Sequence, residues 1–486
     1  MKGFQYSIAL LLALILPLAG CAVNPVSGES DFVLMSEDQE IALGRENHAR
    51  VIQRYGRYDD EHLQTYIQKI GAELATKSHR TNLVFRFTVL DSNEINAFAL
   101  PGGYIYITRG LLAYLNNEAE LAAVLGHEIG HVTARHAVRQ HSAATATGIV
   151  AAILASQADF QGAGDLFNTA GTAFVRGYGR DHELESDRLG AEYLAKSGYD
   201  PLAMLDVIRV LKNQEVYERK LAEREGREPQ VYHGVFATHP DNDKRLQEVV
   251  GKARKLARKG KQRTNRVDFL RHIEGLVFGE GEKEGVLRGN RFYHRELDVS
   301  LKLPKGWRIE NRPDHLTAIA PGNAGLFQIR ALDINLRLSP KQFLKKRLKL
   351  DDLQAGESFK HRDLEGYTAV SNVRTTYGKR LVRFIVLFRG DKAWIFQGVA
   401  KDPDRPYSYD RLFIDSARSF RSLNKDEQEL ARARRLHIIT AKDTTRFADL
   451  ARQSPLGSNA EQQLRLLNKH YPNGEAQPGT PLKIVQ

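Results

Sequence analysis

The chain has 486 residues, a formal net charge of +12, 27% charged and 42% hydrophobic residues, an ordinary globular balance with length for two to four domains. Its single cysteine, Cys21, excludes an internal disulfide framework and removes cysteine as nucleophile or zinc ligand. Any metal must therefore be held by histidine and carboxylate. The basic excess gathers in clusters such as Lys252 to Arg263 and Lys345 to Lys349. These read as solvated helix faces that suit anionic lipid or cell wall, and no nucleic-acid partner is expected.

In chain order, Lys2 precedes an apolar run from Ile8 to Leu18, short for a bilayer span and shaped like the h-region of a secretory signal. The run ends in Leu18-Ala19-Gly20-Cys21, which resembles the lipobox of bacterial lipoproteins. That resemblance implies a signal peptide over 1–20, a lipid on Cys21 and, because Ala22 and not aspartate follows, the outer membrane facing the periplasm. Asn24 to Gly28 reads as a loop, and Ser36-Glu37-Asp38-Gln39 as a capping box that starts a helix to about Arg54. A second helix is expected near Glu61 to Thr76, and strands over Val84 to Leu90 and Tyr104 to Thr108. Between them Pro101-Gly102-Gly103 closes a hairpin. Its edge offers Asn96, Ala97, Phe98 and Ala99 for pairing with an extended peptide, although a purely structural turn reads equally well.

Asn116 caps a helix expected from Asn117 to about Gln140, which carries His127-Glu128-Ile129-Gly130-His131. Histidines four apart lie about one turn apart on one helix face, so both imidazoles reach one ion. Glu128 points about 100° away, where a general base is needed. Gly126 and Gly130 cost roughly 1 kcal/mol each relative to alanine, which suggests that another backbone packs closely there. Two histidines need a third protein ligand. A third histidine six residues after the second, with a glycine between, is excluded by Ala137 and Ala134. The segment from Arg180 to Asp187 offers Glu183, with His182 as a rival. Asp187, four residues after Glu183, is placed to orient one zinc histidine through its far nitrogen.

His127 to His131, Glu183 with Asp187, and Thr238-His239-Pro240 with Arg245 together resemble the signature of the gluzincin metallopeptidase family of HtpX, the CAAX prenyl proteases and the periplasmic BepA-type proteases. The resemblance covers roughly Asn24 to Val250. It implies one Zn2+ per chain on His127, His131 and Glu183, Glu128 as catalytic base, and His239 over the metal with Arg245 in the catalytic set. It also implies Asn96 to Gly103 as a substrate edge, and unfolded or misassembled envelope proteins as partners. The rival function is a chaperone or assembly scaffold that holds zinc but rarely cuts. Ala143 to Ala155 is apolar but too short to cross a membrane. With Phe160 to Phe174 it reads as a cover or membrane-surface contact, or as a plain core helix.

Beyond a linker at 271–290, an α+β domain over 291–424 is expected. Its strands are Leu297 to Leu303, Leu316 to Ala320, Leu326 to Asn335, Tyr367 to Thr376, Leu381 to Phe388 and Ala393 to Ala400, and its helices are Phe343 to Leu350 and Tyr409 to Phe420. Trp307 and Trp394 read as core, and Leu303 to Trp307 faintly resembles PsbP-like domains. The tail, 425–486, resembles a LysM module, a β-α-α-β unit that binds glycan, which implies peptidoglycan as a possible partner. Lys442 stands where that pattern expects glycine. The expected architecture is thus multidomain: a mainly α zincin-type protease domain with a small β-sheet over 21–270, the α+β domain, and the small LysM-like module.

Overall fold

A computed structural model of the chain describes residues 21–145, 179–225, 229, 253–257, 262–312 and 314–486. The expected signal peptide, most of Ala143 to Ala155, Phe160 to Phe174, His239 and Arg245 lie outside them. The chain divides into two compact units, Met1–Phe278 with Arg435–Gln486, and Gly279–Arg434.

In the first unit, β1 (Cys21–Val23) and β2 (Ser30–Phe32) form a short antiparallel pair. Ser36 and Gln39 then close the capping box of α1 (Glu37–Tyr55), and Asp60 caps α2 (Glu61–Ala75), whose apolar stripe is buried. Strands β3 (Arg86–Leu90), β4 (Ala97–Leu100) and β5 (Tyr104–Thr108) form a sheet in the order β3-β5-β4, with β3 parallel and β4 antiparallel to β5. In this sheet β4 is an edge strand. Gly102 and Gly103 take φ of 76° and 87° in the β4–β5 turn, where side chains are disfavoured. Helix α3 (Arg109–Tyr114) leads to Asn117, the side chain of which accepts from Glu120 N to cap α4 (Glu118–Thr133).

Every residue of α4 is buried. The helix stops at Thr133 rather than running on to Gln140: Arg135 adopts φ of 53°, and residues 136–145 then form a separate helical stretch. Left-handed backbone at a non-glycine residue is disfavoured, and contacts hold it here. Arg135 Nε lies 3.0 Å from Glu40 Oε2, and its guanidinium donates to Met35 O at 3.0 Å. Helices α5 (Arg180–Lys196) and α6 (Ala203–Glu225) pack on α4, and α7 (Arg266–His272) and β6 (Val277–Phe278) close this part of the unit. Among the described residues no helix is long and apolar enough to cross a membrane.

The second unit begins with a three-stranded sheet, β7 (Val286–Arg288), β8 (Arg291–His294) and β9 (Val299–Lys302). Next come β10 (Arg308–Arg312), β11 (His315–Ile319), β12 (Gly325–Asp333), α8 (Pro340–Lys346), β13 (Gln354–His361), β14 (Leu364–Thr375), β15 (Gly378–Arg389), β16 (Lys392–Ala400) and α9 (Asp410–Arg418). The large sheet is antiparallel in the order β10-β11-β12-β16-β15-β14-β13. Trp394 is buried and Trp307 packs on the same core at partial exposure. Strands β10 and β13, Arg-Ile-Glu-Asn-Arg and a mostly exposed edge, carry no apolar alternation and escape a reading by pattern.

The tail returns to the first unit. Strand β17 (Arg434–Thr440), α10 (Phe447–Gln453), α11 (Ala460–Leu467) and β18 (Pro481–Val485) follow in β-α-α-β order, and β17 lies between β18 and β6. Residues 435–486 therefore belong to the first unit and share its core. The buried ammonium of Lys483 donates to Ala113 O and Leu115 O at 2.7 Å each, and Lys469 Nζ meets Glu120 of α4 at 2.9 Å.

Candidate active site

Helices α4 and α5 cross where side chains are missing. A Cβ on Gly130 would lie 3.0 Å from Ser186 Cα, and one on Gly190 would lie 3.0 Å from His127 N. That approach brings the α5 carboxylates against the α4 imidazoles. His127 Nε2 lies 3.0 Å from His131 Nε2 and 3.5 Å from Glu183 Oε2, and His131 Nε2 lies 3.4 Å from Glu183 Oε1. One donor atom from each of the three residues falls within 4.8 Å of the others, and all three residues are buried. Two imidazole nitrogens and one carboxylate oxygen, with no thiol, form a donor set that fits zinc and leaves a coordination position for a reactant.

Behind this cluster, His127 Nδ1 lies 2.7 Å from Asp187 Oδ1. His131 Nδ1 lies 2.8 Å from His136 Nδ1, and His136 Nε2 lies 3.0 Å from Glu185 Oε2. His182, the rival ligand, stacks on His136 at 4.2 Å between ring centroids instead of joining the three donors. Burial works against charge on His127, but the Asp187 and Glu183 carboxylates outweigh it and push its pKa up to about 9. Burial holds His131 well below the ordinary imidazole value and lowers His136, while burial followed by the charges of His136 and Arg139 takes His182 down to about 4. The hydrogen bond from His136 takes Glu185 down to about 2. Positive charge is favoured beside His127, next to imidazoles held neutral, the form in which imidazole ligates a cation.

A cleft borders the cluster, lined by His127, Glu128 and Asp187 together with apolar groups of Ala97, Val124 and Met204. Ala97 thus brings the edge strand to the same cleft as Glu128. Asn96 is buried behind it, where its N–H donates to Thr108 Oγ1 at 3.1 Å and its carbonyl accepts from Thr108 N at 3.0 Å. Phe98 turns to the opposite face and stacks on Tyr106 at 4.9 Å, while Ala99 borders a smaller cavity with His131. Cys21 begins β1. His136 and Glu185 have no place in the sequence reading. On a continuous helix a residue five positions after His131 points about 140° away from it. Only the break at Arg135 brings His136 under the His131 ring.

Residues 61–253 match Peptidase family M48. The chain is 33% identical over 245 residues to the beta-barrel assembly-enhancing protease of Yersinia pestis, covering 48% of this chain and 47% of that one. It is 32% identical over 242 residues to the protein of that name in Escherichia coli (strain K12), again over 48% and 47%. With the mitochondrial metalloendopeptidase OMA1 of Arabidopsis thaliana it shares 34% identity over 188 residues, 38% of this chain and 35% of that one. The chain spans about half the length, or less, of these curated relatives. Among solved structures, cyanobacterial PsbP from Synechocystis matches at 16% identity over 29% of this chain and 96% of its own, with a TM-score of 0.22. The similarity to peptidase family M48 and to these metallopeptidases thus covers part of the chain.

Proposed function

We propose that the protein is a zinc-dependent metalloendopeptidase of the bacterial envelope that hydrolyses misfolded or stalled envelope proteins. The observation that carries this is the buried meeting of His127, His131 and Glu183 beside Glu128, at a cleft bordered by an edge strand. Zinc, when bound, supplies Lewis-acid polarisation of the scissile carbonyl and of the attacking water. Glu128 accepts the proton of that water and returns it to the leaving amine. Asp187 accepts from His127 Nδ1 and so keeps the Nε2 lone pair directed at the cluster. Strand β4 holds substrate extended as an added strand, with Ala97 at the cleft. His239 and Arg245 complete the catalytic set by family resemblance.

The Leu18 to Cys21 lipobox supports attachment to the outer membrane through a lipid on Cys21, facing the periplasm. The relatives named for β-barrel assembly support misassembled outer-membrane proteins as substrates. The same names favour a second reading, an assembly scaffold that holds zinc and rarely cuts. Glu128→Gln decides between them: as a protease, the variant loses cleavage of casein and of unfolded outer-membrane protein but keeps zinc and substrate binding. A wild type that holds zinc and cuts neither, even after His239→Ala, would leave the scaffold as the function.

A further inference from the structure

The two metal histidines are supported differently. His127 has a carboxylate directly behind it, whereas His131 has a second imidazole, and only behind that a carboxylate. The second arrangement fixes every proton once His131 Nε2 is required as a lone-pair donor. His131 must then carry its hydrogen on Nδ1, and the only ring atom of His136 at 2.8 Å from it is Nδ1, which must accept. His136 therefore carries its hydrogen on Nε2 and donates it to Glu185 Oε2 at 3.0 Å. One set of tautomers satisfies the whole row.

The row is also anchored at both ends. His136 is fully buried, stacks on His182, and has Ser186 Oγ at 3.4 Å from its Nδ1. Glu185 is kept anionic by Arg139 at 3.4 Å, with Arg188 at 3.7 Å, and Arg139 also meets Asp31 of β2 at 3.4 Å. A buried imidazole and a paired carboxylate cost desolvation energy and do not touch the cleft. No core-packing need calls for them.

We propose that His136 and Glu185 form a positioning relay that sets the tautomer and ring orientation of His131 and thereby the affinity of the site for its metal. The inference rests on His127, His131 and Glu183 being the zinc ligands. Neither His136 nor Glu185 is a catalytic residue: both act through His131. Partners of this kind behind a ligating histidine typically contribute 10–100-fold in metal affinity.

The test is zinc affinity of the full chain, read by competition with a chromophoric chelator, together with the visible spectrum of the Co2+-loaded protein. Glu185→Ala, at a side chain that is 20% exposed, is expected to fold and to weaken zinc about tenfold. His136→Ala is expected to weaken it up to about 100-fold and shift the Co2+ bands. His136→Gln, whose amide oxygen can accept from His131 Nδ1, should recover part of the affinity. Wild-type zinc affinity and an unaltered Co2+ spectrum in folded Glu185→Ala and His136→Ala would overturn the relay. A wild type that binds no zinc, or that retains it after His131→Ala, would overturn the ligand assignment instead, so the two failures are separable.

Discussion

Along α4 and its partner α5 the buried positions include Glu118, Glu120, His127, Glu128, His131, Glu183 and Asp187, whereas along β15 and β16 they include Val382, Phe384, Ile385, Val386, Leu387, Trp394, Ile395 and Phe396. Both regions exclude water, but they solve different problems. The carboxylates at the start of α4 are held by several donors each. Glu118 accepts from Tyr66, Tyr199 and Asn265 at 2.7 Å each, and Glu120 accepts from Asn116 N and Lys469. The sheet of the second unit is held by apolar burial and backbone ladders. Polar burial is expensive and is kept where it performs chemistry; apolar burial is kept for stability. Activity and stability should therefore separate under mutation.

The sharpest separation is at Glu128. Replacement by Gln keeps the shape and removes the proposed base, so the proposed peptidase activity should fall about 10²–10⁴-fold while zinc content and melting temperature stay at wild-type values. A parallel loss of stability would mean that Glu128 is a structural group. The converse change is Phe396→Ala, at a fully buried ring packed against Phe327 and Phe420. Denaturant unfolding should show the second unit weakened by about 3–5 kcal/mol, with peptidase activity below the transition unchanged. Loss of activity in the still-folded variant would break the division between the regions.

An intermediate case lies on the helix crossing. The Cβ added by Gly130→Ala meets Ser186 backbone at 3.0–3.1 Å, a contact that no side-chain rotation relieves. Helix α5 must move by a few tenths of an ångström, and Glu183 moves with it. Overpacking of this kind costs about 1–3 kcal/mol, and zinc affinity should fall with stability. Unchanged zinc affinity would show that the crossing tolerates slack.

How much of this was readable in advance follows the same division. The runs Leu381 to Phe388 of β15 and Ala393 to Ala400 of β16 announce themselves as apolar strands, and the capping boxes of α1 and α8 are local patterns. His127 and His131 are also local, because helical spacing alone puts them together. Glu183 and Asp187 are more than fifty residues away, and only the glycines at 126 and 130 hint that another helix must come close. His136 was out of reach: its contact depends on one left-handed residue, Arg135, held by Glu40 nearly a hundred residues earlier. How the tail packs was out of reach for a related reason. Its β-α-α-β order is local, but Lys483 reaching Ala113 and Leu115 is not.

The smallest effect tests whether the buried imidazoles weigh on stability without metal. In chelator-treated protein, His131, His136 and His182 have folded pKa values below the unfolded value near 6.5. The unfolded chain therefore binds more protons in acid, and their contribution is complete above pH 6.5 and is lost as pH falls, for His182 down through about 4. His127, raised to about 9, has the opposite sign: its contribution is complete below 6.5 and disappears as pH rises through 9. The contribution of His127 is essentially complete below 6.5, so the three lowered groups decide the acid side and the apo protein's melting temperature falls between pH 6.5 and 5, at up to ~1.4 kcal/mol per pH unit for each group. His182, partly exposed and screened, contributes least, so His182→Gln should flatten the acid slope only slightly. A melting temperature that did not change over that interval would show that the cluster relaxes and admits water when the metal is removed, and that its polar burial is sustained by the ion rather than by the fold.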